Sequence, residues 1–384
     1  MDLQGLLTTG LEADRLRLPP YPAVALKLQQ LAASGRHTTR DLCATLNADA
    51  VLVAAVLRRA NSAASAASVV ISSLEMAVTR IGTQDLLRLA LAQSVGVTAS
   101  SGGPLASLRR DTWRMSLLAA RFGLELAGRR GIDPDLAFIA GLLHDFGAIA
   151  VLVGLEDLKL ELPVLPAETW KGLVDRMHVQ FGTVIATRWR LPQPIVHAIE
   201  HHHAVANYQG PHRALVELIA TVDRIIETFD RAPTTSVAAL LEVPGLSQDE
   251  RYQIGTMLPK IAEFMMSFEG SASPAREAKA PTAVAKPVSD LVEGWPVDLV
   301  VTVRQDAYRA CAMSANAIAF RGSLALLPNW LMQVTLGCDP GISMLARVQT
   351  CEPGADGSYL MTAQPFGIEK ASWLDLIART RRAS

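Results

Sequence analysis

Residues 141–151, GLLHDFGAIAV, set His144 beside Asp145 inside a run that is otherwise wholly apolar. Such a stretch has to be buried, and a buried imidazole and carboxylate each need a partner. Neighbours on a regular helix point about 100° apart. Both side chains can therefore face one centre only where the helix ends or distorts, and Gly147, two residues on, allows that. The expectation is a helical core with a polar centre built into it. That centre either holds a divalent cation or is a hydrogen-bonded pair of the kind a low dielectric makes a good structural determinant.

Other polar groups could join the pair. Hard divalent metals take imidazole and carboxylate ligands, often five or six with water included. His178 and Gly182 stand four apart on one helical face, so a backbone or a ligand can come close over His178. In the run His201-His202-His203, the last two lie near a helix end, where an imidazole can turn into a cleft. Asp223 shares a helix with Leu218, Ile219 and Val222, and a carboxylate there needs a partner. The candidate metal set is His144, Asp145, His178, His202, His203 and Asp223. His197 and His212 stand apart and are read as surface residues.

The rest of the chain divides by hydrophobic period. Up to residue 270 the pattern is helical. Val24, Leu28 and Leu31 follow the prolines of LPPYP, and Asp41 falls in the first turn after threonine caps. Ser72 with Glu75 reads as a capping box on a helix ending at Gly82, and Asp133-Pro134 reads as a cap with proline at the first helical position. Between 271 and 294 alanine, proline, serine and lysine dominate, the composition of a linker. After 295 the period becomes two: PVDLVVTVR and WLMQVTL alternate, and SMLARVQTCEPGADGSYLMTAQPF reads as two strands around a turn. A last helix is expected from Ser372. The fold class is therefore multidomain α plus β. An all-α domain over 1–270, in lobes of about 15–104 and 105–270, precedes a small antiparallel β-barrel with a C-terminal helix over 295–384.

Composition narrows the function classes. A net charge of −1 over 384 residues gives no long-range field toward nucleic acid or anionic lipid. Four cysteines without a CxxC pair suit a reducing compartment. There is no basic-then-apolar leader, and the longest uncharged run, 89–108, is broken by ASSGGP. The expectation is a cytoplasmic, soluble protein with no membrane span and no nucleic-acid partner.

The stretches LPPYPAVALKL, LRRANSA, SSLEMAVTRIG, AFIAGLLHDFG, HVQFGTVIATRWRLPQPIVHAIEHHH and TVDRI, in that order over 15–265, resemble the HD-related output domain, HDOD, a bacterial relative of the HD phosphohydrolases. The resemblance implies an all-α signalling domain that binds partners instead of hydrolysing phosphodiesters. In the catalytic HD-GYP relatives an upstream histidine precedes the His-Asp dyad, a lysine follows three residues after it, and further histidines and an aspartate come later. His144 and Asp145 match the dyad, His178, His202 and His203 the later histidines, and Asp223 the last aspartate. Met115 stands at about the upstream histidine and Ala148 at the lysine, and there is no GYP signature. A thioether is a soft, weak ligand for Mg²⁺ or Mn²⁺, and alanine removes a cation that could meet a phosphate oxygen.

Residues 295–370 resemble a PilZ domain, a small barrel that in many members binds cyclic di-GMP. The D/N-x-S-x-x-G motif aligns with Ala312, Ser314 and Ala317, keeping only the serine, and Arg276 stands alone where two arginines would form the phosphate clamp. Cyclic di-GMP is accordingly not expected as a ligand. These readings point to a non-catalytic bacterial regulator acting through a signalling protein partner, with no cofactor expected beyond a single divalent metal. Two alternatives remain: a metal-dependent phosphohydrolase of nucleotides or cyclic dinucleotides, and a cyclic di-GMP receptor working through the barrel. A homodimer stays open.

Overall fold

The structure is a computed structural model. It describes residues 2–13, 15–16, 18–61, 71–158, 167–231, 242–268, 295–303, 306–322, 331–337, 342–353, 358–366 and 370–383. The linker expected at 271–294 lies outside the described residues.

The helices are α1 (Leu3–Glu12), α2 (Ala23–Ala33), α3 (Thr39–Leu46), α4 (Ala50–Ala60), α5 (Leu74–Ser100), α6 (Ala106–Ala127), α7 (Pro134–Leu143), α8 (Phe146–Asp157), α9 (Ala167–Arg188), α10 (Gln193–His201), α11 (Arg213–Arg231) and α12 (Gln248–Met266). Their starts follow local chemistry. Thr38 and Asp41 form a reciprocal capping box on α3, and Asp133 caps α7 with Pro134 at its first position. On α5 the cap is Ser73, whose hydroxyl accepts from Met76 N, so the cap falls one residue after the expected Ser72. Gly82 sits at φ 79°, ψ 163° inside α5 and breaks the helical path where a stop was expected.

Helices α2, α3 and α4 pack on α5, while α6, α7 and α9 surround α8. Nine of the twelve residues of α8 are buried, which explains why that segment carries no polar face. An 18-residue window within Pro134–Asp157 has mean hydropathy 2.1, and 78% of it is buried inside the protein. This stretch is long and apolar enough to cross a membrane by composition, yet it serves as the core of the helical unit.

Helix α9 ends in a Schellman arrangement, with Leu191 N donating to Ala186 O and Arg190 N to Thr187 O, both at 3.0 Å. The residue in the left-handed position is Arg190, at φ 54°, the one non-glycine with positive φ among the described residues. Arg190→Gly should therefore raise stability by about 0.5–1 kcal/mol, seen as a higher urea midpoint at unchanged slope. A lower midpoint would mean that the arginine side chain stabilises the cap by more than its backbone strain costs.

The C-terminal strands are β1 (Trp295–Val303), β2 (Asp306–Met313), β3 (Ile318–Gly322), β4 (Leu331–Leu336), β5 (Ile342–Pro353) and β6 (Tyr359–Phe366). They close into an antiparallel barrel in the order β1-β2-β3-β6-β5-β4. Alternate residues such as Val301, Val303, Phe320, Val334 and Met361 fill its interior. Three register shifts, at 296/299, 310/312 and 348/350, supply the bends that closure needs. Helix α13 (Lys370–Ala383) begins two residues before the expected Ser372. It packs Trp373, Leu376 and Ile377 into the barrel core, and Trp373 Nε1 donates to Ser314 O at 2.9 Å.

Contacts divide the chain into two compact units at residues 226/227, and 227–269 groups with the barrel. Within the second unit, α12 packs against β4.

Candidate metal centre

Helix α7 ends at Leu143 and α8 begins at Phe146, so His144 and Asp145 occupy the break between them. Asp145 leaves helical geometry at φ −103°, ψ 11°. The pair can then face one centre, with His144 Nε2 3.6 Å from Asp145 Oδ2. Gly147 makes the break tight. A Cβ there would lie 1.9 Å from the carbonyl oxygen of His178 and 2.5 Å from Gly182 N. Lacking one, α8 rests directly on the backbone of α9, and this crossing brings His178 to the dyad. The close approach expected over His178 is made by backbone.

The remaining groups arrive from helix ends and one helix face. His202 is the C-cap of α10, His203 follows it, and Asp223 lies on α11. Asp145 Oδ1 is 3.5 Å from His178 Nε2 and 3.6 Å from His202 Nε2. Asp223 lies 3.6 Å from His144 Nε2 and 3.4 Å from His203 Nδ1, and His178 Nε2 is 3.0 Å from His203 Nε2. All six residues singled out in the sequence are therefore brought together, in two groups that share Asp145. His201 turns elsewhere, with Nε2 3.7 Å from Glu200 Oε2.

Three of the rings have their orientation set by their own helices. The Nδ1 atoms of His144 and His202 lie 2.8 Å from the carbonyls of Gly141 and Ile199, and that of His178 lies 3.2 Å from Val174 O. A helix's last carbonyls lack intrahelical partners, so a histidine at the end is a natural donor to them. A nitrogen facing a carbonyl carries the hydrogen, which aims Nε2 at the centre, the tautomer that metal-ligating histidines adopt. These carbonyls are the part of the site the motif did not reveal; a histidine three residues past a helical carbonyl at a helix end is the signal that could have found those of Gly141 and Ile199.

The residues fit a divalent cation. His144 Nε2, His202 Nε2 and Asp145 Oδ1 are buried without a hydrogen-bond partner, an arrangement that costs free energy unless something charged completes it. Donors on one cation at about 2.1 Å lie roughly 3.0–3.4 Å apart in octahedral or tetrahedral geometry, close to the 3.0–3.6 Å seen here. The chemistry is imidazole and carboxylate, suited to Mn²⁺, Fe²⁺ or Zn²⁺.

The charges are strongly perturbed. Burial opposes a positive His144, but Asp145 and Asp223 outweigh it and raise its pKa to about 9. Burial also opposes the Asp145 charge, and the facing rings of His144, His202 and His178 overcome it, holding the carboxylate far below its usual range. Asp223 is lowered too, with burial outweighed by His144. His203 moves the other way, to about 4, through burial and the neighbouring His202. With protein groups alone, His144 supplies the cation of the centre.

His197 and His212, read as surface residues, are half-buried; the His197 ring packs against those of Tyr208 and His212. Their positions depend on the segment after α10 folding back, which no local pattern announces.

Residues 18–205 match the HDOD domain family. A protein of Treponema pallidum, described only as uncharacterized, is 25% identical over 228 residues, which is 57% of this chain and 44% of that protein. The chain thus spans less than half the length of that relative. An HDOD domain protein of unknown function from Geobacter sulfurreducens has a similar structure, with TM-score 0.52 and 24% identity over 70% of this chain and 99% of its own. So does a protein of Shewanella amazonensis provisionally named a metal-dependent phosphohydrolase, with TM-score 0.53 and 21% identity over 70% of this chain and all of its own. These likenesses establish a shared fold. The HDOD domain match thus spans residues 18–205, just under half of the chain.

Proposed function

We propose that this protein is a non-catalytic regulator that keeps a divalent-metal core in its HDOD domain and acts by binding a signalling protein. The observation that carries the reading is Ala148. It lies one turn into α8, 4% exposed, at the position where the catalytic relatives of the resemblance place a lysine. A buried methyl offers no charge to a phosphate. His144, Asp145, His178, His202, His203 and Asp223 would hold the cation, and a bound divalent ion supplies Lewis-acid chemistry and an acidified water. The protein groups orient it: the carbonyls of Gly141, Val174 and Ile199 lock the rings, and Asp145 reaches both halves of the centre.

A second reading, metal-dependent phosphohydrolase, draws support from exposure. The side chains of Asp145 and His203 are 32% and 45% exposed, so water and small anions can reach one side of the centre. The cyclic di-GMP reading draws none, since the Ser314 hydroxyl is used within the β2–β3 turn, where it accepts from Ala317 N at 3.0 Å.

The test combines metal analysis with turnover. Purified full chain should bind Mn²⁺, with affinity reduced tenfold or more in Asp145→Asn, while showing no hydrolysis of cyclic dinucleotides or nucleotides in excess Mn²⁺. Turnover abolished by Asp145→Asn would establish the hydrolase instead. Pull-down with the full chain should recover a protein partner, and failure to recover one counts against the regulator.

A further inference from the structure

The first lobe is charged differently from the chain as a whole. Residues 18–100 carry seven Lys and Arg against four Asp and Glu, while the whole chain carries 36 against 37. Two of those cations, Arg40 and Arg80, line a groove of about 670 Å³ together with Thr38, Ile71, Glu75 and Met76.

The elements that build the groove give it fixed walls. Met76 and Arg80 stand four apart in the first turns of α5 and so share a face. The other wall is the start of α3, where Thr38 is the N-cap and Arg40 lies in the first turn. The Thr38 hydroxyl and backbone N–H both donate to Asp41 Oδ2, at 2.7 and 2.8 Å, so that carboxylate is committed to the cap. Among the described residues, Arg40 and Arg80 are exposed and form no ion pair. Ile71 closes one end. Its N–H donates to Asn61 Oδ1 at 2.7 Å and its carbonyl accepts from Asn61 Nδ2 at 2.8 Å, which pins the wall in place.

Met76 is 60% exposed, the most exposed large apolar side chain among the described residues. A flexible thioether adapts to many apolar shapes and is favoured at binding surfaces. With two guanidiniums in the same groove, it suits a ligand that brings an apolar anchor and carboxylates together. A continuous polyanion such as nucleic acid cannot avoid Glu75, whereas a peptide can place its acids singly beside each arginine. We propose that this groove is the docking surface for an acidic peptide segment of the signalling partner, with an apolar side chain on Met76 and carboxylates on Arg40 and Arg80. The assignment rests on the regulator reading and names the chemistry of its partner.

The experiment is selection of a random peptide library, displayed on phage, against the immobilised full chain. The enriched sequences should be acidic and carry large apolar residues. A synthetic peptide of the enriched sequence, followed by fluorescence anisotropy, should bind Arg40→Glu/Arg80→Glu about tenfold more weakly or worse, and Met76→Gln about threefold more weakly. Raising salt should weaken its complex with wild type, because the paired charges are exposed. Should the double variant not fold, by circular dichroism, Arg80→Glu and Met76→Gln decide. Basic or neutral enriched peptides, an empty selection, or equal binding to wild type and the folded double variant overturns the proposal. So does a single-stranded oligonucleotide of equal charge that binds more tightly than the peptide. A pull-down partner that binds the double variant as well as wild type overturns the groove and leaves the regulator reading in place. Turnover lost in Asp145→Asn overturns that reading without changing peptide binding.

Discussion

Gly147→Ala is expected to destabilise the helical unit by about 3 kcal/mol or more, the range of severe overpacking. The atoms a new Cβ would meet are the His178 carbonyl oxygen at 1.9 Å and Gly182 N at 2.5 Å. Both are backbone inside α9, so no side chain can rotate away. The two helices must separate, and α8 is the most thoroughly buried element of the unit. The same separation pulls Asp145 from His178, so Mn²⁺ affinity should fall together with stability. Gly128→Ala is the matched control. It sits at φ −60°, ψ −29°, and a Cβ added there would meet nothing within 4 Å, so its effect should stay within about 1 kcal/mol of zero. Urea unfolding of both variants decides the matter. A Gly147→Ala protein as stable as Gly128→Ala would mean that the helix crossing tolerates a side chain and does not depend on the glycine.

That crossing was half legible in the sequence. Gly147 beside a buried His-Asp pair required a break, because two adjacent side chains cannot share a centre on a regular helix. What the glycine would touch was not legible, since it depends on how α9 crosses α8. The same division runs through the molecule. Period-two segments announced the barrel strands, whereas the closing order β1-β2-β3-β6-β5-β4 is a property of pairing between distant strands. Ser72 and Ser73 are chemically equal caps, and only the path of the chain selects Ser73. The six candidate ligands came from residue type, order and family resemblance. The carbonyls that orient their rings, and the stacking of His197 with Tyr208, come from geometry that neighbouring residues do not encode.

The metal-free protein should lose on the order of 3 kcal/mol of stability between pH 6.5 and pH 9. The sign follows from His144. Its folded pKa of about 9 lies above the ordinary 6.5, so its proton stabilises the fold fully below 6.5, and that contribution disappears as pH rises through 9. The carboxylates act at the other end. Asp145 and Asp223 are held below their ordinary values, so their contribution is present above about pH 4 and is lost on further acidification. His203, lowered to about 4, adds stability that is present above 6.5 and declines toward its folded pKa. The cluster is therefore most stabilising in the absence of metal just below neutrality. Urea unfolding in chelator at pH 6.5 and 9 measures the slope, and His144→Gln isolates it, since glutamine cannot take the proton. Saturating Mn²⁺ should reverse the slope, because cation and proton compete for the same Nε2. An identical pH dependence in wild type and His144→Gln would remove His144 as the cation of the centre, and with it the electrostatic argument for a metal in its place.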